Sequence, residues 1–323
     1  MSDKIIEVKG LGKKYGDFVA VRDLDLNVGK SEIYGFLGPN GAGKTTTIMM
    51  LLGILDPTQG EISLFGGEGT GRDPAIRSKI GVVSEKQYLY PELTMMEYLQ
   101  FFAELYRVKD KKKRIKELAE RVQLGDVLNR RLGAFSRGMQ QKVGIIRALL
   151  HDPELFVIDE PHAGLDPIGI KQVRDFLDEE KDKGRTIFVS SHVLSEVEKL
   201  CDRVGIINQG TLVAEDQMEN LSSRLSDEVE LMVELSDGKE EVYRALENLS
   251  FVSNVTRDGK KLELKISADG DYRKEISQAI IAAGDVPIDL EVKQMSLEEA
   301  FVTITSKNIS LLTKGSGSSQ ESN

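Results

Sequence analysis

Gly38-Pro39-Asn40-Gly41-Ala42-Gly43-Lys44-Thr45 is the stretch that decides the fold of this chain. It fits G-x-x-x-x-G-K-[ST], and it stands where that pattern has a physical meaning. The apolar run at residues 33–37 stops at it, and a stretch of helical character begins after Lys44. Gly38, Gly41 and Gly43 let backbone N–H groups turn inward to phosphate oxygens with no Cβ in the way. The helix that follows adds its positive N-terminal end. Lys44 would reach the β and γ phosphates of a nucleotide, and the Thr45 hydroxyl would bind Mg2+.

Moving outward, residues 155–158 form another short apolar run, followed by Asp159-Glu160, and residues 186–189 form a third. Buried parallel strands read this way, with functional groups at their C-terminal ends. Asp159 at a strand end can hold Mg2+ through its water shell, and Glu160 can polarise an attacking water as general base. No Asn-Lys-x-Asp guanine-reading motif is present, which disfavours a GTPase. An acid beside Asp159 favours hydrolysis over transfer to a small bound acceptor. The motifs therefore indicate an ATPase with ATP and Mg2+ as ligands.

Phe135-Ser136-Arg137-Gly138-Met139-Gln140-Gln141 precedes a helix upstream of Asp159. With this element in place, the chain resembles the nucleotide-binding subunit of ABC transporters, whose signature is Leu-Ser-Gly-Gly-Gln. Phe135, Arg137 and Met139 depart from it, in a form similar to the sodium-, drug- and polysaccharide-exporter branch with a C-terminal extension. Ser136 and Gly138, a hydroxyl and an open backbone N–H at a helix start, are kept.

The resemblance implies a P-loop NTPase core with a RecA-like parallel sheet, joined by antiparallel β and helical subdomains. It also implies roles for further residues. Tyr15 matches the aromatic that stacks on adenine, and the phosphate loop, from Gly38, Pro39, Asn40, Gly41 and Ala42 on, runs through Thr46. Asp166 closes the Gly164-Leu165-Asp166 D-loop, where His162 and Ala163 replace the usual Thr and Ser as neutral variation. His192 matches the switch histidine at the γ-phosphate, while His151 reads as surface. The Q-loop aligns at Gly81-Val82-Val83-Ser84-Glu85, so Glu85 stands where the family has glutamine, with Gln87 two residues on. Glu85 is the expected stand-in near nucleotide and Mg2+, and Gln87 stays open as the alternative.

The chain has 323 residues, 40% hydrophobic and 30% charged, the makeup of a globular protein. No apolar run approaches the roughly 18 residues a membrane helix needs. Met1-Ser2-Asp3-Lys4 lacks the apolar core of a secretory leader, and a single Cys201 suits a reducing compartment. The formal charge is -10, which argues against a dedicated nucleic-acid binder. Residues 221–323 hold 19 acidic and 12 basic side chains, so -7 of that charge lies there.

This shift predicts a boundary near residue 220. Residues 1–220 would be the ATP-binding cassette, 221–305 an accessory domain and 306–323 a flexible tail. Within 221–305 the pattern reads βαββαβ, a small ferredoxin-like α+β domain, with a hairpin at Asp258-Gly259 and a last helix over 297–304. Met295-Ser296-Leu297-Glu298-Glu299-Ala300-Phe301 is similar to the ending of the same exporter branch.

In this family the Ser136–Gly138 element of one subunit closes over ATP held by the other. The implied partners are a second ATP-binding subunit, identical or not, and a separate transmembrane permease, with export as the implied direction. No nucleic acid is implied, and the implied location is the cytoplasm, on the inner membrane face through the permease. Two rivals stand beside this reading. One is a soluble ABC ATPase working on ribosomes or DNA, which usually carries two cassettes or a long coiled coil. The other is a regulatory ATP-binding module that hydrolyses poorly.

Overall fold

Strands β1 (Lys4–Tyr15) and β2 (Phe18–Gly29) form a long antiparallel hairpin, and β4 (Gln59–Leu64) pairs antiparallel with β1 on its other side. Several register shifts interrupt the β1–β2 ladder. At its tip Tyr15 pairs with Phe18 across a two-residue turn in which Gly16 takes φ 57°. These strands belong to a computed structural model that describes residues 4–67, 69–218, 220, 228–267 and 269–293.

A second sheet carries the phosphate loop. Its strands are β3 (Ile33–Leu37), β5 (Ile80–Val83), β6 (Leu155–Asp159), β7 (Thr186–Ser191), β8 (Arg203–Asn208) and β9 (Thr211–Gln217), in the order β5-β6-β7-β3-β8-β9. The neighbours from β5 to β8 run parallel. All residues of β3 and β7 are buried, as the apolar runs imply for strands covered on both faces. Tyr34 and Phe36 of β3 pack on Phe188 of β7 with ring centroids 5.7 and 5.6 Å apart. Each such pair contributes about 0.5–1.5 kcal/mol beyond simple burial.

Helix α1 (Lys44–Leu51) leaves the phosphate loop, and the short α2 (Pro74–Arg77) precedes β5. Between β5 and β6 lie α3 (Met95–Leu105), α4 (Lys111–Arg121) and α5 (Arg137–Leu149). Thr94 and Glu97 form a reciprocal capping box at α3, which satisfies two otherwise orphaned backbone donors. Ser136 caps α5 by accepting from the Met139 N–H. Asp166 caps α6 (Pro167–Asp182) through the Gly169 N–H at 2.7 Å. The short α7 (Leu194–Glu198) follows β7.

The chain divides into two compact units, Met1–Asp216 and Gln217–Asn323. In the second, β10 (Glu228–Leu235), α8 (Glu240–Glu247), β11 (Val252–Asp258), β12 (Lys261–Ser267), α9 (Arg273–Ala282) and β13 (Pro287–Lys293) follow the βαββαβ pattern. The sheet order β11-β12-β10-β13, antiparallel throughout, is that of a ferredoxin-like domain. Leu231, Val233, Leu262 and Leu264 face Val242, Leu246, Ile276 and Ile280 in its core.

Its hairpin turns one residue later than the sequence suggests. Asp258 still pairs with Lys261, so Gly259 and Lys260 are the central residues, and only Gly259 needs positive φ (62°). The expected helix at 297–304, the motif Met295 to Phe301 and the tail at 306–323 lie outside the described residues, as do residues 221–227 beside the expected boundary. Among the described residues no helix is long and apolar enough to cross a membrane.

Candidate active site

The phosphate loop joins β3 to α1 at the C-terminal edge of the parallel sheet, where α/β folds place ligands. Two glycines there are required by geometry. A Cβ on Gly38 would come within 2.3 Å of the Ile207 carbonyl oxygen. Gly43, at φ 109°, would drive a Cβ to 2.6 Å from the Ala20 carbonyl. Lys44 is 7% exposed, and its ammonium folds back on the carbonyls of Gly38 (2.7 Å) and Pro39 (3.3 Å). Burial pushes this amine below the ordinary lysine range, and the carboxylates of Glu160, Asp159 and Glu85 oppose that shift. A phosphate would give the ammonium better acceptors than two carbonyls.

The loop borders a cavity of about 260 Å3. Asn40, Gly41, Gly43, Lys44, Thr45 and Thr46 form one wall, Asp159, Glu160 and Glu85 another, and Tyr15, Phe18 and Ala20 a third. Ten residues singled out in the sequence thus meet at one place. Phe18 and Ala20 had no signal in the motifs. The signal for Phe18 was available in a hairpin reading, because it faces Tyr15 across the turn and is 64% exposed. Two exposed rings at a strand tip suit a flat heteroaromatic base.

Asp159 and Glu160 stand at the end of β6, next to the end of β7. The Ser190 hydroxyl donates to Oδ1 of Asp159. Glu160 is 8% exposed and takes a left-handed backbone conformation, φ 53°, uncommon for a residue with a Cβ. Its N–H bonds the Ser190 carbonyl at 3.0 Å, and Oε1 lies 2.8 Å from Nδ1 of His192. His192 therefore contacts the acid directly. Among the described residues no cluster of three or more His, Cys, Asp or Glu side chains can hold a metal alone. Thr45, Asp159 and Glu85 instead offer hard oxygens around the phosphate cradle, a donor set that fits Mg2+ shared with a nucleotide.

The Q-loop alternative separates clearly. Glu85 lines the cavity, whereas Gln87 turns away from it. Gln87 donates to the Ser84 carbonyl (2.6 Å) and the Gln141 Oε1 (3.3 Å), and accepts from Arg147 (3.4 Å). It also fills the space over Gly144, where a Cβ would lie 2.4 Å from the Gln87 amide.

Ser136, Gly138 and Asp166 do not line the cavity of their own chain. Ser136 and Asp166 are helix caps, as described, and a Cβ on Gly138 would meet Leu165 at 2.9 Å. The signature departure Arg137 lies over Gly164, whose missing Cβ makes room for the arginine stem.

His151 is half-buried rather than freely exposed: its Nε2 meets the Ile80 carbonyl at 3.1 Å, its ring lies 4.5 Å from that of Tyr106, and burial holds it below the usual histidine range. His162 is 6% exposed with both ring nitrogens unpartnered, and burial likewise lowers it.

With this geometry established, similarity to known proteins becomes specific. The sequence profile of the ABC transporter family matches residues 21–163. The bacitracin transport ATP-binding protein BcrA of Bacillus licheniformis is 38% identical over 302 residues, covering 93% of this chain and 97% of that one. The linearmycin resistance ATP-binding protein LnrL of Bacillus subtilis (strain 168) is 33% identical over 312 residues, covering 94% and 99%. A solved ATP-binding subunit of an ABC transporter, 33% identical, superposes with a TM-score of 0.63 over 68% of this chain and 92% of its own. The chain is an ATP-binding subunit of the ABC transporter family, an ATPase that works with ATP and Mg2+.

Proposed function

We propose that this subunit hydrolyses ATP in the cavity beside Lys44 to drive a separate permease that exports an antimicrobial compound. The observation that carries the chemistry is the convergence of Lys44, Asp159, Glu160 and the Glu160-bound His192 on one cradle. The export reading draws on similarity to proteins named for bacitracin transport and linearmycin resistance, which extends over nearly the whole chain.

In this reading Tyr15, with Phe18, stacks on adenine. Backbone N–H groups from Gly41 to Thr46 and the Lys44 ammonium hold the phosphates. Thr45, Asp159 and Glu85 would hold Mg2+, which when bound neutralises phosphate charge. Glu160 takes the proton of the water that attacks the γ-phosphorus. The bond to the bridging oxygen breaks, and Lys44 stabilises the charge that returns to ADP. His192 keeps the Glu160 carboxylate aimed at that water. Ser136, Gly138 and Asp166, away from their own cavity, complete the site of a second chain, so two subunits enclose two nucleotides. The α3–α5 region docks the permease, which places the subunit on the cytoplasmic membrane face.

The test is Glu160→Gln, assayed for ATP turnover in purified protein and for drug efflux in cells that carry the partner permease. Loss of ATP turnover and of drug efflux, with nucleotide binding kept, is expected. Turnover equal to that of the unaltered protein would remove Glu160 from its assigned role.

A further inference from the structure

A buried strand of a parallel sheet is ordinarily apolar, and β7 follows that rule through Ile187, Phe188 and Val189. It then breaks it. Ser190 is 0% exposed, and a buried hydroxyl is costly unless it is hydrogen-bonded. Its side-chain partner is Asp159, its register neighbour on β6, whose Oδ1 accepts the Ser190 proton. Among the described residues, no other side chain is seen bonding that carboxylate.

The same residue also reaches the next position. The Ser190 carbonyl accepts the Glu160 N–H at 3.0 Å, at the point where the backbone enters φ 53°. The following hydroxyl, of Ser191, accepts from the Val193 N–H at 3.0 Å and so fixes the turn that presents His192. The end of β7 thus holds Asp159 by a side chain, Glu160 by a carbonyl and His192 by a turn.

We infer that Ser190 is a positioning residue for Asp159. By committing Oδ1, it selects one carboxylate rotamer and leaves Oδ2 for the Mg2+–nucleotide complex. The inference rests on the proposed role of Asp159. Partners of this kind, one step behind a ligand, are typically worth about 10–100-fold in metal affinity.

The experiment measures binding of a fluorescent ATP analogue to the full-length chain as Mg2+ is titrated, and again in EDTA. Ser190→Ala should raise the Mg2+ concentration for half-maximal tight binding by about tenfold, with binding in EDTA unchanged. Ser190→Thr, which keeps the hydroxyl, should return the Mg2+ dependence to within about twofold of the original. In an Asp159→Asn background, Ser190→Ala should add nothing further. A shift below about twofold for Ser190→Ala overturns the inference, as does equal weakening in EDTA, which would mean general damage to the pocket. Should Ser190→Ala fail to fold, Ser190→Thr and Ser190→Cys decide, because only the first keeps a strong donor. If Asp159→Asn itself leaves the Mg2+ dependence unchanged, the reading of Asp159 fails. If Asp159→Asn shifts it and Ser190→Ala does not, only the role of Ser190 fails.

Discussion

Asp285 of the second unit and Glu160 of the first are both nearly sealed from solvent, at 3% and 8% exposure, yet their surroundings differ in kind. Asp285 receives the N–H groups of Asp237, Gly238, Lys239 and Val286 at 2.8–3.1 Å. Burial would raise this carboxyl, but those four donors outweigh it and hold it at about 2. Among the described residues the Glu160 carboxylate has one side-chain partner, His192, and its backbone is held in a disfavoured region. One carboxylate has its acceptor capacity filled from within the fold, while the other keeps an oxygen for something that arrives. A buried acid built for structure and one built for chemistry are told apart by what remains unspent.

The largest expected effect tests that contrast directly. Glu160→Gln should lower ATP turnover by about 10^2–10^4-fold, the range for losing a general base, while Asp285→Asn leaves turnover unchanged. Steady-state hydrolysis by purified protein checks both. Asp285→Ala should instead lower the melting of the second unit by several degrees, followed by hydrogen exchange in that unit. The pH dependence has a defined sign. With Asp285 moved from 3.8 to about 2, its contribution is fully present above the ordinary carboxyl range. It is lost as pH falls toward the folded value, so Asp285→Ala should flatten the acid limb of the stability curve.

A smaller effect separates Glu85 from Gln87. Glu85→Gln removes a carboxylate that opposes the lowering of Lys44, and should change turnover several-fold with folding intact. Gln87→Ala breaks bonds to Ser84, Gln141 and Arg147, and should lower the melting temperature more than the turnover. Unchanged turnover in the first and abolished turnover in the second would reverse the assignment.

The smallest effect concerns His162. Its two unpartnered nitrogens make the site costly, so His162→Leu should be neutral or stabilising by about 1 kcal/mol. Since burial lowers this histidine below its free value, the unfolded chain binds the proton first and stability falls as pH drops below 6.5. The variant should lose less stability over that interval, measured by urea titration.

Much of the cassette was legible because its decisive residues are contiguous. The run 33–37 is β3 itself, and the Asp159-Glu160 pair ends β6 where the apolar pattern stops. The second unit was legible for another reason: its strands alternate cleanly, and Leu231, Val233, Leu262 and Leu264 mark one face. What escaped the sequence is chiefly lateral. The twelve-residue strands β1 and β2 carry register shifts that blur a period of two. Ser190 reads as a polar strand end until β6 is known to lie beside it. Phe18 gains meaning only from Tyr15 across the hairpin. His151 follows a helix and reads as exposed, but Ile80 and Tyr106 close over it from distant segments.

The left-handed backbone at Glu160 has a consequence for descent as well as for catalysis. A side chain there costs on the order of 1–2 kcal/mol that glycine would not. Selection for a sturdier fold and selection for hydrolysis therefore pull on this codon in opposite directions. A lineage that kept the scaffold but no longer needed to burn ATP would be free to relax toward Gly or Asn at this position. An acid in so uncomfortable a place is then a mark by which working motors among such subunits could be told from retired ones.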